Sequence, residues 1–420
     1  MLFDPDYKTP YSFHINVGVQ RELRPGLILS VDYVRILGLH SVLRRDWNRV
    51  GAADTLNIAN ARAAMDAVHG SLGCPAGQTG VNCAIAAGAN IESYAAYGLG
   101  RSEAATPPNP NPFAFPGLNP WFNAMDTFGM QGRFAYNALQ VALRGRLPDF
   151  GKVLKDWNIV ASYSLGRLSG TAEDQAYSFR AAVDNDNLLG FSGPCALDRT
   201  HIVSVGSVFQ VPGGIHLNSI WRFSSNLPQS AFVPQVSGSA AEIFYTDFNG
   251  DGTSGDPLPG TSRGSFGRDI GNAAALNRAI DSYNTMQAGQ LTMAGKALVN
   301  AGLFSEAQLK ALGAVSPQVV RAPAGQVNLD SFITTDVRIT RPFKLLGERI
   351  TIEPALEFFN LFNVANYDLP GNKLGATLNG ATGSINGTTA ADRPNRAGFG
   401  SGSFALGIPR AWQLALRVSF

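Results

Sequence analysis

Residues 411–420 read AWQLALRVSF. Trp412, Leu414, Leu416, Val418 and Phe420 occupy one set of alternate positions, and Gln413, Ala415, Arg417 and Ser419 occupy the other. Side chains alternate across a β-strand, so this segment is a strand with one wholly apolar face and one polar face. A charge, Arg417, lies mid-strand opposite continuous apolar side chains. A soluble sandwich also alternates, but a wall with lipid on one side and water on the other accounts for both faces.

The pattern recurs along the chain. Tyr11, Phe13, Ile15, Val17 and Val19 oppose Ser12, His14, Asn16, Gly18 and Gln20. Leu139, Val141, Leu143 and Leu147 oppose Gln140, Ala142, Arg144 and Arg146. Trp157, Ile159, Ala161, Tyr163 and Leu165 oppose mostly small polar residues, and Ile350, Ile352, Leu356 and Phe358 oppose Thr351, Glu353 and Glu357. About nine strands are expected, near 11–23, 27–42, 132–147, 156–169, 199–211, 215–227, 329–342, 348–362 and 410–420, with a further short one near 398–406. Lumen-facing Arg144, Arg146, Asp336, Arg338, Glu353, Glu357 and Arg417 are expected to form cross-strand ion pairs, with contact to a plug or substrate as the alternative. Trp157, Tyr163, Phe358, Phe359, Phe362 and Trp412 are candidates for aromatic girdles.

Connections alternate in length. Those at Arg24-Pro25-Gly26, 148–156, Pro212-Gly213-Gly214 and 342–348 are short, whereas 46–130, 170–198, 228–328 and 363–409 are long. Short turns on one side and long loops on the other are the outer-membrane barrel arrangement, with the long loops extracellular. By that rhythm the first strand begins on the extracellular side, so at least one strand is expected upstream. The opening residues also carry no basic segment followed by an apolar one of the kind a signal peptide has. Two loops carry helical signals, over 53–69 and over 272–301 followed by 305–312. Ser305 and Gln308 form a capping-box pattern, and Gly313 is a helix stop.

Composition agrees. Of 420 residues, 15% are charged, against roughly 25% in soluble proteins. Aromatics reach 10% and glycines number 46. Mean hydropathy is -0.00, and no apolar run approaches the roughly 18 residues of a membrane-spanning helix. The formal net charge of +2 points to no nucleic-acid partner. Cys74 and Cys83 bracket CPAGQTGVNC and are placed to close a small disulfide in an oxidising compartment, with Cys195 left over.

The segment Asp247-Phe248-Asn249-Gly250-Asp251-Gly252-Thr253-Ser254-Gly255-Asp256 supports two readings. Asp247, Asn249, Asp251 and Asp256 present oxygens at spacings that wrap a hard cation such as Ca²⁺. The same composition also makes an Asx/Gly-rich turn, and an EF-hand loop would need a bidentate Glu where Leu258 stands. His14, His40, His69, His201 and His216 lack metal-type spacing. No nucleophile, phosphate-loop or dinucleotide motif has a suitable context, so no enzyme and no other cofactor is expected.

The motifs YNALQVALRGRL (136–147), ASYSLGR (161–167), DRTHIVSVGSVFQVPGG (198–214), TDFNGDGTSGDPLPG (246–260), TTDVRITRPFKLLGERITIEPALEFFNLFNVANY (334–367) and PRAWQLALRVSF (409–420) occur in order. Together they resemble the C-terminal barrel portion of TonB-dependent outer-membrane receptors of the Oar-like type common in acidobacteria. The resemblance implies an all-β, transmembrane antiparallel barrel of about 22 strands, to which residues 1–420 contribute about nine or ten. It also implies a bacterial outer-membrane location in contact with lipid, and uptake of a large nutrient. A plug and TonB-coupling segment would lie outside these residues, and Phe420 resembles the terminal signal read by the barrel-assembly machinery. A structural or adhesive outer-membrane barrel, binding partners through its loops, is the alternative.

Overall fold

The computed structural model describes residues 2–3, 5–101, 112–151, 153–171, 183–321, 331–345, 349–366 and 408–420. Nine long strands run through them: β1 (Tyr11–Arg24), β2 (Leu27–Asp46), β3 (Asp126–Arg146), β4 (Lys155–Gly170), β5 (His201–Val211), β6 (Ile215–Ser224), β7 (Phe332–Thr340), β8 (Ile350–Phe359) and β9 (Ala411–Ser419). Each pairs antiparallel with the next, giving a simple meander. Three short pieces, Leu2–Phe3, Gly193–Pro194 and Phe343–Leu345, complete a 12-stranded sheet. The sheet is open: β1 and β9 are its edges and do not pair with each other. The short strand expected near 398–406 lies outside the described residues.

The register carries each strand's two faces across the whole sheet. Val19, Val31, Val141, Tyr163, Val203, Phe223 and Ile333 stand side by side on β1 to β7. One residue along, Gln20, Ser30, Ala142, Ser162, Ser204, Arg222 and Thr334 form the neighbouring row on the opposite face. Near the other edge, Ile339, Leu356 and Leu414 continue the apolar face, while Arg338, Glu357 and Gln413 continue the polar one. A slip of one residue between any two strands would place apolar side chains among polar ones, so the alternation itself fixes the register.

Short turns join β1 to β2, β3 to β4 and β5 to β6. Gly26 (φ 78°) turns the first of these, and its N–H donates to Glu22 Oε1 at 2.8 Å. Gly213 (φ 87°) and Gly214 (φ 72°) turn the third. At the other end, β2 and β3 run for 20 and 21 residues, well beyond the roughly 9–11 that cross a membrane, and rise into the long loops.

Two of those loops fold together. The first carries a 3₁₀ turn, Ala53–Thr55, and helices α1 (Ile58–Leu72), α2 (Gln78–Ala86) and α3 (Ile91–Ala96). The other carries a 3₁₀ turn, Ala240–Phe244, and helices α4 (Ala273–Met286), α5 (Met293–Asn300) and α6 (Glu306–Ala311). The helix expected over 53–69 breaks at Asn57, whose side chain accepts from Asn60 N–H and so starts α1 there. Helices α2 and α3 had no counterpart in the sequence reading. The expected Ser305/Gln308 capping box is formed at α6.

Candidate functional site: a two-loop cap on an amphipathic wall

The cap has one principal core drawn from both loops. Met65, Val68, Val81, Ile91, Tyr94, Leu99 and Phe115 of the first loop pack with Ile243, Phe244, Leu298, Phe304, Leu309 and Leu312 of the second. The Tyr94 and Phe304 rings meet edge to face at 5.4 Å, and those of Phe115 and Phe244 at 5.8 Å. Backbone bonds cross between the loops, from Ile91 N to Leu312 O at 2.9 Å, Arg101 N to Ala240 O at 3.0 Å and Ala53 N to Gly250 O at 2.9 Å. A smaller core around Leu258, Phe266, Leu276, Ile280 and Tyr283 lies within the second loop.

Two buried polar side chains are bonded within the cap. His69 is buried, with Nε2 2.9 Å from the Tyr94 hydroxyl, and burial lowers its pKa despite nearby Asp66. Glu242 is fully buried; its carboxylate accepts N–H bonds from Val236, Ser237 and Gly238 and the Thr246 hydroxyl. Nothing in the local sequence marked Glu242 as special, because its partners are backbone groups. Cys74 and Cys83 are joined by a disulfide between the α1–α2 connection and α2, a loop closure that stabilises by about 2–3 kcal/mol in the chain-entropy account. Cys195 is buried and forms no disulfide.

The cap is rooted at the end of β2. Asp46 Oδ1 accepts from Met125 N (2.7 Å) and Asn48 N (2.9 Å), and its Oδ2 accepts from Val50 N (3.1 Å). Asn48 in turn donates to backbone oxygens of Phe122 and Asn123. These bonds tie both ends of the first loop to the wall.

Asp247, Asn249, Asp251 and Asp256 come together beneath the cap, with their oxygens directed at the loop's own backbone. Asp247 accepts from Gly250 N at 2.7 Å and Gly252 N at 3.0 Å. Asn249 accepts from Asp251 N at 3.2 Å, and Asp256 from Phe248 N at 2.9 Å. Asp251 accepts from Thr253 N at 2.7 Å and from Asn185 N. Among the described residues, no group of three or more His, Cys, Asp or Glu is arranged to hold a metal ion. All three aspartates are buried. Desolvation, reinforced by the neighbouring carboxylates, raises their pKa values: Asp247 well above the usual range, Asp251 above it and Asp256 to about 8.

On the polar face of the wall, Arg338 Nη1 and Glu357 Oε1 form a cross-strand pair at 3.1 Å, and Gln413 donates to Glu357. Glu353 faces Arg417 in register, and Asp336 accepts from Asn360 N–H. Arg146 instead pairs with Asp156 at the turn, at 2.6 Å. On the apolar face, Trp157 packs against Phe209, while Trp221 packs against Phe362. Phe358 pairs with Trp412 there, but Phe359 lies on the opposite, polar face because its position differs by one residue. His201 stacks on Tyr163 with Nδ1 2.9 Å from its hydroxyl, a structural contact.

A meander with one largely apolar face, one polar face and its long loops at one end is the pattern of an integral outer-membrane β-barrel wall. The outer membrane beta barrel domain family matches residues 2–397, and the chain belongs to that family. It is a protein of the bacterial outer membrane, with its apolar face toward lipid. Among solved structures, the outer membrane transporter YddB from Escherichia coli is similar over 100% of this chain and 34% of its own, at 9% identity and a TM-score of 0.42. The chain thus spans about a third of the length of that transporter. No curated protein matches the chain.

Proposed function

We propose that the chain forms part of the wall and the extracellular cap of an energy-coupled outer-membrane transporter, a TonB-dependent receptor of the Oar-like type that takes up a large nutrient. The observation that carries this reading is the open sheet. Nine strands present a polar, charge-bearing face, and among the described residues the outer sides of β1 and β9 have no strand partner. Backbone groups at a sheet edge are not tolerated in lipid, so further strands complete the wall, and a barrel of that size encloses a wide polar lumen. In this reading the plug and the TonB-contacting segment lie outside these residues, Phe420 serves barrel assembly, and no catalytic step belongs to the chain. The test is binding of the full natural protein to the purified periplasmic domain of TonB. Saturable binding is expected; its absence would refute energy coupling.

A second reading, an adhesive barrel that binds partners at the cell surface, is favoured by the cap. It is a compact body with its own core and a disulfide, whereas a gating loop needs low local stability. Energy-dependent uptake by cells carrying the full gene, lost when the proton-motive force is collapsed, separates the two.

A further inference from the structure

Toward the long loops, the apolar face of the wall carries a cluster of arginines. The register sets Arg35 of β2, Asn137 of β3 and Arg167 of β4 in one row, and Arg133 lies on the same face of β3 two pleat repeats further toward the long loops, beyond Ala135. All three arginines are exposed, and among the described residues none has a carboxylate partner. From the row of Leu39 and Arg133 to the short turns, the paired positions of this face hold no Asp or Glu. The polar face differs, carrying both signs, with Arg338 bonded to Glu357. Tyr33 donates to Asn137 Oδ1 at 3.1 Å, which fixes that amide between the two flanking arginines.

Unpaired guanidinium groups on a lipid-facing surface are costly unless an anion meets them. Arg35 is the ninth residue of β2 from the short turn at Leu27, so this row lies about one membrane crossing from the turns, at the extracellular rim, with Phe13 and Leu37 continuing the face beyond it. Headgroups of the outer leaflet lie at that level. Guanidinium forks match phosphate oxygens bidentately, and clustered basic residues at a membrane rim recognise anionic lipid. We infer that Arg35, Arg133 and Arg167, with Asn137 between them, form a binding site for the phosphorylated headgroup of an outer-leaflet lipid. The inference rests on the outer-membrane location and not on transport.

The full natural protein, purified from outer membranes in mild detergent, is titrated with bis-phosphorylated lipid A, with its dephosphorylated form, and with inorganic phosphate. Saturable binding of the phosphorylated lipid alone is expected. Each of R35Q, R133Q and R167Q is expected to weaken it about fivefold, and the triple lysine variant to retain part of the affinity. Arg21→Gln, on the same face at the opposite end of β1, is expected to change nothing. Unchanged heat-modifiable migration on gels shows that the variants are folded. Full affinity in the triple glutamine variant, equal loss in Arg21→Gln, equal binding of the dephosphorylated lipid, or complete competition by millimolar phosphate would each overturn the site.

Discussion

Asp256 is held 2.9 Å from the Phe248 N–H with Asp251 and Asp247 close by, in a pocket that excludes water from all three carboxyls. Its pKa is raised to about 8. A carboxyl whose pKa is higher folded than unfolded contributes stability that is complete below its unfolded pKa, about 4. That contribution is lost as pH rises through the folded value. The protection of amides 247–256 against hydrogen exchange, corrected for intrinsic rate, should therefore fall between about pH 4 and pH 8. Asp256→Asn should flatten that dependence. Restoration at pH 8 by millimolar Ca²⁺, absent in Asp256→Asn, would instead place a cation among these oxygens. The wall offers a residue-scale contrast of its own: Val141 and Gln140 are adjacent on β3 but face lipid and lumen. Val141→Arg should cost about 2–4 kcal/mol in unfolding titrations from lipid, and Gln140→Arg much less. Equal costs would mean that the faces are wrongly assigned.

At the scale of elements, the wall was legible in the sequence and the cap was not. Alternation betrays a strand because each side chain reports its own face, so the segment 411–420 could be read without any partner. The helix at Ser305 was legible for a similar reason, since a capping box is closed within four residues. The cap core has no such local signature. Tyr94 and Phe304 are brought together from loops on opposite sides of the four strands β3 to β6, and helices as short as α3 are held by packing more than by propensity. Local sequence therefore marks helices in both loops but gives no sign that the two share one core. That shared core has a measurable consequence. Phe304→Ala should cost about 3–5 kcal/mol and loosen α1 and α3 in the first loop as much as α5 and α6 in its own, seen as parallel loss of amide protection. Loss confined to the second loop would show that the two fold independently.

Across the whole molecule, the balance of forces turns on the two edges. Through most of the sheet every strand has two antiparallel neighbours, so its backbone N–H and C=O groups are spent within the wall. Among the described residues, Tyr11–Arg24 of β1 pair only with β2, and Ala411–Ser419 of β9 pair only with β8. Each edge leaves about half its backbone polar groups without a strand partner, at several kcal/mol apiece in hydrocarbon. Midway along both edges the lipid-facing side chains are apolar and cannot offset that: Val17 and Val19 on β1, Leu414 and Leu416 on β9. The edges are also long, and over Tyr11–Gln20 and Ala411–Leu416 they carry no proline, bulge or charged side chain of the kind that keeps natural edges from pairing. The 420 residues produced alone should therefore not form a protease-resistant monomer in lipid vesicles. They should instead aggregate, or associate edge to edge into larger closed assemblies detectable by cross-linking through cysteines placed at Val17 and Leu414. The full natural protein should give a heat-modifiable, protease-resistant monomer in which the same cysteines do not cross-link between copies. A protease-resistant monomer from the 420 residues alone would mean that β1 and β9 can meet, and the reading of this sheet as an arc of a larger wall would be wrong.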